Sequence, residues 1–91
     1  MKKTEYLALK EEFPEGSFSI MSTFNTWVDK FYESISTCKA SEFPSTTSSY
    51  ACANSLFFEI SGFLWCLYGF GFIDDSRRAL LNDEFLSAFD F

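Results

Sequence analysis

The chain has 91 residues, enough for one domain with a modest core. It is 47% hydrophobic and 21% aromatic, with 13 Phe, and this excludes a disordered chain, because disorder goes with few aromatics. Seven basic against thirteen acidic residues, and no His, give a net charge of −6, a sign that repels phosphate backbones and disfavours direct nucleic-acid binding.

Apolar spacing predicts four helices, at about residues 3–13, 17–38, 49–68 and 75–89, and therefore a small all-α bundle filling residues 1–91 as a single domain. The first helix carries Tyr6, Leu7, Leu9 and Phe13, and Pro14-Glu15-Gly16 stops it. Its opening run, MKKTEYLALKEEF, is broken by Glu5, Lys10, Glu11 and Glu12, so it lacks the apolar centre of a signal peptide. Together with an odd set of cysteines (Cys38, Cys52, Cys66), this gives a reducing cytoplasm as the expected location.

The second helix has the clearest pattern. Ile20, Met21, Phe24, Trp27, Val28, Phe31, Tyr32, Ile35 and Cys38 recur at steps of three and four and fall on one side of a helical wheel. Ser17 is its expected N-cap, and Phe18, off the stripe, is expected to pack back on the first helix. A Ser/Thr-rich stretch with one Pro, residues 39–48, reads as a loop.

The third helix contains the run Leu56 to Phe72, LFFEISGFLWCLYGFGF. It is short for a membrane span and holds Glu59, and Gly69 and Gly71 break it, so the membrane reading ranks below a buried one. A helix with large apolar residues nearly all round is normally the buried centre of its domain. The small residues Cys52, Ser55, Gly62, Cys66 and Gly69 make one narrow stripe with Glu59 at its middle. Close approach of a neighbouring helix to that stripe is the favoured reading, and exposure to water the second. Phe57, Phe58, Trp65, Phe70 and Phe72 exceed what one small core can hold, so some of them are candidates for an exposed interaction patch. In the fourth helix, capped by Asp74 or Asp75, the stripe Ala79, Leu81, Phe85, Ala88 and Phe89 is expected to face the core.

Catalytic chemistry finds little support. Without His the commonest general base is missing, and no nucleophile has a visible base. The cysteines match no zinc spacing and are expected to be buried free thiols, and YGFGF has no Lys of a phosphate loop after it. No enzyme activity, cofactor or metal is expected. The acidic C-terminal part instead supplies candidate partner-binding residues: Asp74, Asp75, Leu80, Asp83, Glu84, Asp90 and Phe91. Ser76, Arg77, Asp83, Glu84, Ser87 and Asp90 are expected to share the outer face of the fourth helix around Leu80, a small hot spot with a charged rim.

The function expected is that of a small acidic binding protein that inhibits or neutralises a basic partner. A nuclease or nucleic-acid-handling complex is the natural target, as for phage anti-defence proteins (anti-CRISPR, anti-restriction) or toxin-immunity proteins. Only size and charge support that analogy. The alternative is a helical homodimeric assembly module, and a membrane-associated protein ranks third.

Overall fold

The computed structural model describes residues 4–12 and 19–91, with the side chains of residues 19–21 left aside. Among the described residues there are four α-helices and no strand: α1 (Glu5–Glu12), α2 (Ser19–Lys39), α3 (Ser48–Gly69) and α4 (Asp75–Ser87). A short 3-10 turn, Pro44–Thr46, lies within the stretch read as loop. The expected Pro14–Gly16 stop, the Ser17 cap and the packing of Phe18 lie outside the described residues, as does Phe13.

α2 and α3 form an antiparallel pair with Phe24 stacked on Phe63 (centroids 4.5 Å apart) and Trp27 edge-on to the same ring (6.2 Å). The three-and-four spacing of α2 works as physics requires. Phe24, Val28, Phe31, Ile35 and Cys38 are buried, Trp27 is partly buried, and Tyr32 sits at the edge. α4 lies across this pair and supplies Leu81 and Phe85, both fully buried. Phe85 is the hub of the core, edge-on to Tyr6 (5.7 Å), Phe24 (6.4 Å) and Phe31 (5.9 Å). The tail folds back, and Phe89 meets Phe31, Tyr50 and Phe57.

The caps fix where each helix begins and ends. The Thr47 hydroxyl accepts from the Tyr50 N–H (3.0 Å) and so starts α3, while its own proton goes to the Pro44 carbonyl (2.8 Å). The other end of α3 is closed by a Schellman turn: Phe72 N–H donates to the Leu67 carbonyl (2.9 Å) and Gly71 N–H to the Tyr68 carbonyl (3.0 Å). Gly71 occupies the left-handed position, φ +81°, where a Cβ is strained. Asp74 then caps α4 by accepting from the Arg77 N–H at 2.8 Å.

α1 is short and is held mainly by α4. Tyr6 and Leu9 are buried, whereas Leu7 is exposed. The N-terminus of α1 leaves N–H groups without helical partners. Thr4 Oγ1 accepts one from Leu7 (3.2 Å), and Glu84 Oε2, 78 residues away in sequence, accepts another from Tyr6 (3.0 Å). Arg77 clamps the same helix, with Nη1 2.6 Å from Glu12 and Nε 3.7 Å from Glu5.

The expected all-α bundle with an aromatic-rich helix packed into its core is observed, but the burial of that helix is one-sided. α3 is not buried all round: Ala53, Ile60, Phe63, Leu64 and Leu67 face the core, but Phe58, Trp65 and Tyr68 are exposed. Three other helices in a chain of this size cover only one side of a 22-residue helix.

Candidate interaction surface

At roughly 100° per residue, the core-facing residues of α3 fix the direction of its opposite side. That side holds Ala51, Cys52, Asn54, Ser55, Phe58, Glu59, Gly62, Trp65, Cys66 and Gly69, every one exposed. The small stripe is therefore exposed, with no helix of the described residues against it, and the close-approach reading fails among the described residues. A Cβ placed on Gly62 or Gly69 would meet nothing within 4 Å. Cys52 and Cys66 are exposed with it, contrary to the expectation of buried thiols, and only Cys38 is buried.

Beside this small stripe stand the large residues. Phe58 is 65% exposed, Trp65 53%, and beyond the helix end Phe70 is 78% and Phe72 46% exposed. Phe57, grouped with them by sequence, instead turns half inward against Phe89. Trp65 is flanked by Tyr68 (5.9 Å) and carries the Arg78 guanidinium 4.0 Å above its ring. Arg78 Nε also pairs with Asp75 at 2.9 Å, so cation and ring are held in place.

The fold gives the residues predicted as a partner-binding site on α4 and the tail different surroundings. Asp74 is used as a cap and Asp75 holds Arg78. Glu84 and Arg77 do not share the outer face, because both turn toward α1, where they satisfy its N-terminus and its carboxylates. Leu80, 52% exposed, and Asp83 do face outward, with Ser76 and Ser87. Asp90 and Phe91 lie past the far end of α4. Phe91 rests against Tyr50 (6.4 Å) with the Lys39 ammonium 5.9 Å from its ring. The seven candidates thus do not converge on one patch.

Two tyrosines between α1, α2 and α4 have perturbed acidity. Burial, reinforced by Asp29, Tyr32 and Glu84, holds Tyr6 well above the ordinary value near 10, and its hydroxyl donates to Asn25 Oδ1 at 2.8 Å. Burial and Glu84 also raise Tyr32. Both phenols remain protonated at neutral pH, which suits neither to act as a base. A groove of about 370 Å³ between α2 and α4 is lined by Tyr32, Lys39 and Glu84 among others. Among the described residues no three His, Cys, Asp or Glu side chains gather as a metal site. α3 is long and apolar enough to cross a membrane, with a third of its most apolar window buried in the bundle.

Compared with known proteins, the chain matches no family model, no curated protein and no solved structure.

Proposed function

We propose that the protein is a non-catalytic interaction module whose main interface is the outer side of α3 and its C-terminal turn. The observation that carries this reading is the set of exposed rings, Phe58, Trp65, Phe70 and Phe72, beside two glycines that no contact among the described residues requires. Exposed contiguous aromatics mark interfaces, and Trp and Tyr are the usual anchors of binding energy. A lipid surface suits this side poorly, since Asn54, Ser55 and Glu59 lie on it.

A second surface favours a basic partner. Leu80 and Asp83 face outward on α4 while Arg77 and Arg78 are engaged with Glu5, Glu12 and Asp75, so the acid excess is not answered locally. That supports the inhibitor reading, with a nuclease or nucleic-acid-handling complex as target and electrostatic steering as the means of capture.

A photo-crosslinking phenylalanine at position 58 or at position 80, in cells producing the protein, tests both. Protein crosslinks at position 58 that survive high salt support the α3 interface. Crosslinks only at position 80, lost as salt rises, move the function to α4, and lipid adducts at position 58 replace the protein interface with a membrane.

A further inference from the structure

We propose that two copies of this chain pack through the outer sides of their α3 helices, antiparallel, about a two-fold axis at Gly62. This rests on the reading of α3 as an interface and names its occupant. Ser48, Ala51, Ser55, Phe58, Gly62, Trp65 and Gly69 follow one another at steps of three and four, and all are exposed. That is the spacing of a coiled-coil seam. It contains two rows: Ser48, Ser55, Gly62 and Gly69 are all small, while Ala51, Phe58 and Trp65 make the other, whose spacing Phe72 continues beyond the helix.

The glycines supply an independent observation. Neither Gly62 nor Gly69 has a positive φ, and an added Cβ at either meets only open space. Glycine weakens a helix, and nothing among the described residues requires it here. Close approach of another backbone does require it.

Self-complementarity selects the occupant and its direction. About an axis at Gly62, residues equally far before and after it face each other. Phe58 then meets Cys66 of the second copy, Ser55 meets Gly69, and Trp65 meets Glu59. Phe58 thus falls on a small residue and Trp65 on a carboxylate, while Gly62 on Gly62 and Ser55 on Gly69 let the backbones approach. A parallel pair sets Phe58 on Phe58 and Trp65 on Trp65, and ring against ring at both levels holds apart the backbones that the glycines would let approach. Charge points the same way. Glu59 is the one charge on this side of α3, and the ring it would face carries Arg78 at 4.0 Å. The antiparallel pair makes that contact twice, whereas the parallel pair opposes Glu59 to Glu59.

The area is sufficient. At the stated exposures Phe58, Trp65, Phe70 and Phe72 leave roughly 500 Å² outside the fold, taking about 200 Å² per ring. Two copies reach about 1,000 Å² from these rings alone, the threshold for a specific interface.

Sedimentation across a concentration series, followed by directed disulfide crosslinking, tests this. The full chain should sediment at twice its monomer mass, and Gly62→Leu should return it to monomer while keeping the helical circular-dichroism spectrum. In a Cys52→Ser/Cys66→Ser background, mixing Ser55→Cys with Gly69→Cys chains should give the mixed disulfide in preference to either self-crosslink. A chain monomeric at every concentration overturns the proposal, as does a dimer that Gly62→Leu leaves intact or a Ser55→Cys chain that crosslinks to itself. If the chain is monomeric but still gives protein crosslinks at position 58, only the occupant was wrong. If those crosslinks are absent too, the α3 interface falls with it.

Discussion

Truncating Phe85 to Ala is the sharpest test of the core. The ring is fully buried and touches Tyr6, Phe24 and Phe31 edge-on, and Tyr32 at 6.0 Å. Core Phe→Ala changes cost about 3–5 kcal/mol, and a site ringed by rigid aromatics collapses poorly, which places this one at about 4. A domain of this length has a total stability of roughly 5–14 kcal/mol. The variant should therefore lose about 20–30 °C in Tm, at about 4–8 °C per kcal/mol. Phe70→Ala is the matched control. The same ring is removed, but it stands 78% exposed, so the change should stay within about 0.5 kcal/mol. Both belong in the Gly62→Leu background, so that self-association does not contribute to the unfolding free energy. Urea titration monitored by circular dichroism gives both numbers. A loss below about 2 kcal/mol for Phe85→Ala, or similar losses for the two, would refute the assignment of core and surface.

The helix ends and the α1 contact make further predictions. Gly71→Ala should destabilise by about 1–2 kcal/mol, because its φ of +81° is strained for a Cβ. Gly62→Ala should have the opposite sign in the monomer, a gain of up to about 1 kcal/mol, read from paired denaturation curves. Asp74→Ala should cost about 1 kcal/mol and Asp74→Asn much less, since both Asp and Asn accept from the Arg77 N–H. Glu84→Ala removes the acceptor of the Tyr6 N–H, and hydrogen exchange should quicken in α1 before it does so in α2 or α3. Tyr6 and Tyr32 titrate higher when folded than their usual value near 10, so the unfolded chain loses those protons first. The stability they contribute is complete below about pH 10 and declines as pH rises above it. Tyr6→Phe should flatten that alkaline limb of the stability curve at the cost of the Asn25 hydrogen bond, about 1 kcal/mol.

Periodicity was readable where burial is one-sided. α2 has a polar side and an apolar side, so Phe24, Val28, Phe31, Ile35 and Cys38 could be placed by counting residues. α3 defeated that method because it has large residues in most directions. Counting cannot say which Phe meets the core when Phe57 and Phe58 are adjacent, one half inside and the other 65% exposed. The small stripe does share one environment on α3, and it is the exposed one. Its meaning depended on whether another helix reaches it, a tertiary fact, and among the described residues none does. The rows of Phe58 and Trp65 beside it became visible as surface only once the core side was fixed.

Charge was harder to read than apolarity, for a physical reason. A formal charge counts every carboxylate equally, whereas the fold assigns them different work. On α4 alone, Asp74 satisfies a helix N-terminus, Asp75 steadies Arg78 over Trp65, and Glu84 crosses the bundle to an orphan N–H of α1. These groups are spent on architecture, so reversing them tests stability before it tests binding. Asp83 and Leu80 escape that use, and Asp83 is where charge reversal reports on a basic partner. Asp83→Lys should leave unfolding within about 0.5 kcal/mol of the parent, as surface changes do. It should also slow association with a basic target and weaken the salt dependence of that rate. If Asp83→Lys changed neither, the outer face of α4 would have no part in recognition, and the grip would belong to α3 alone.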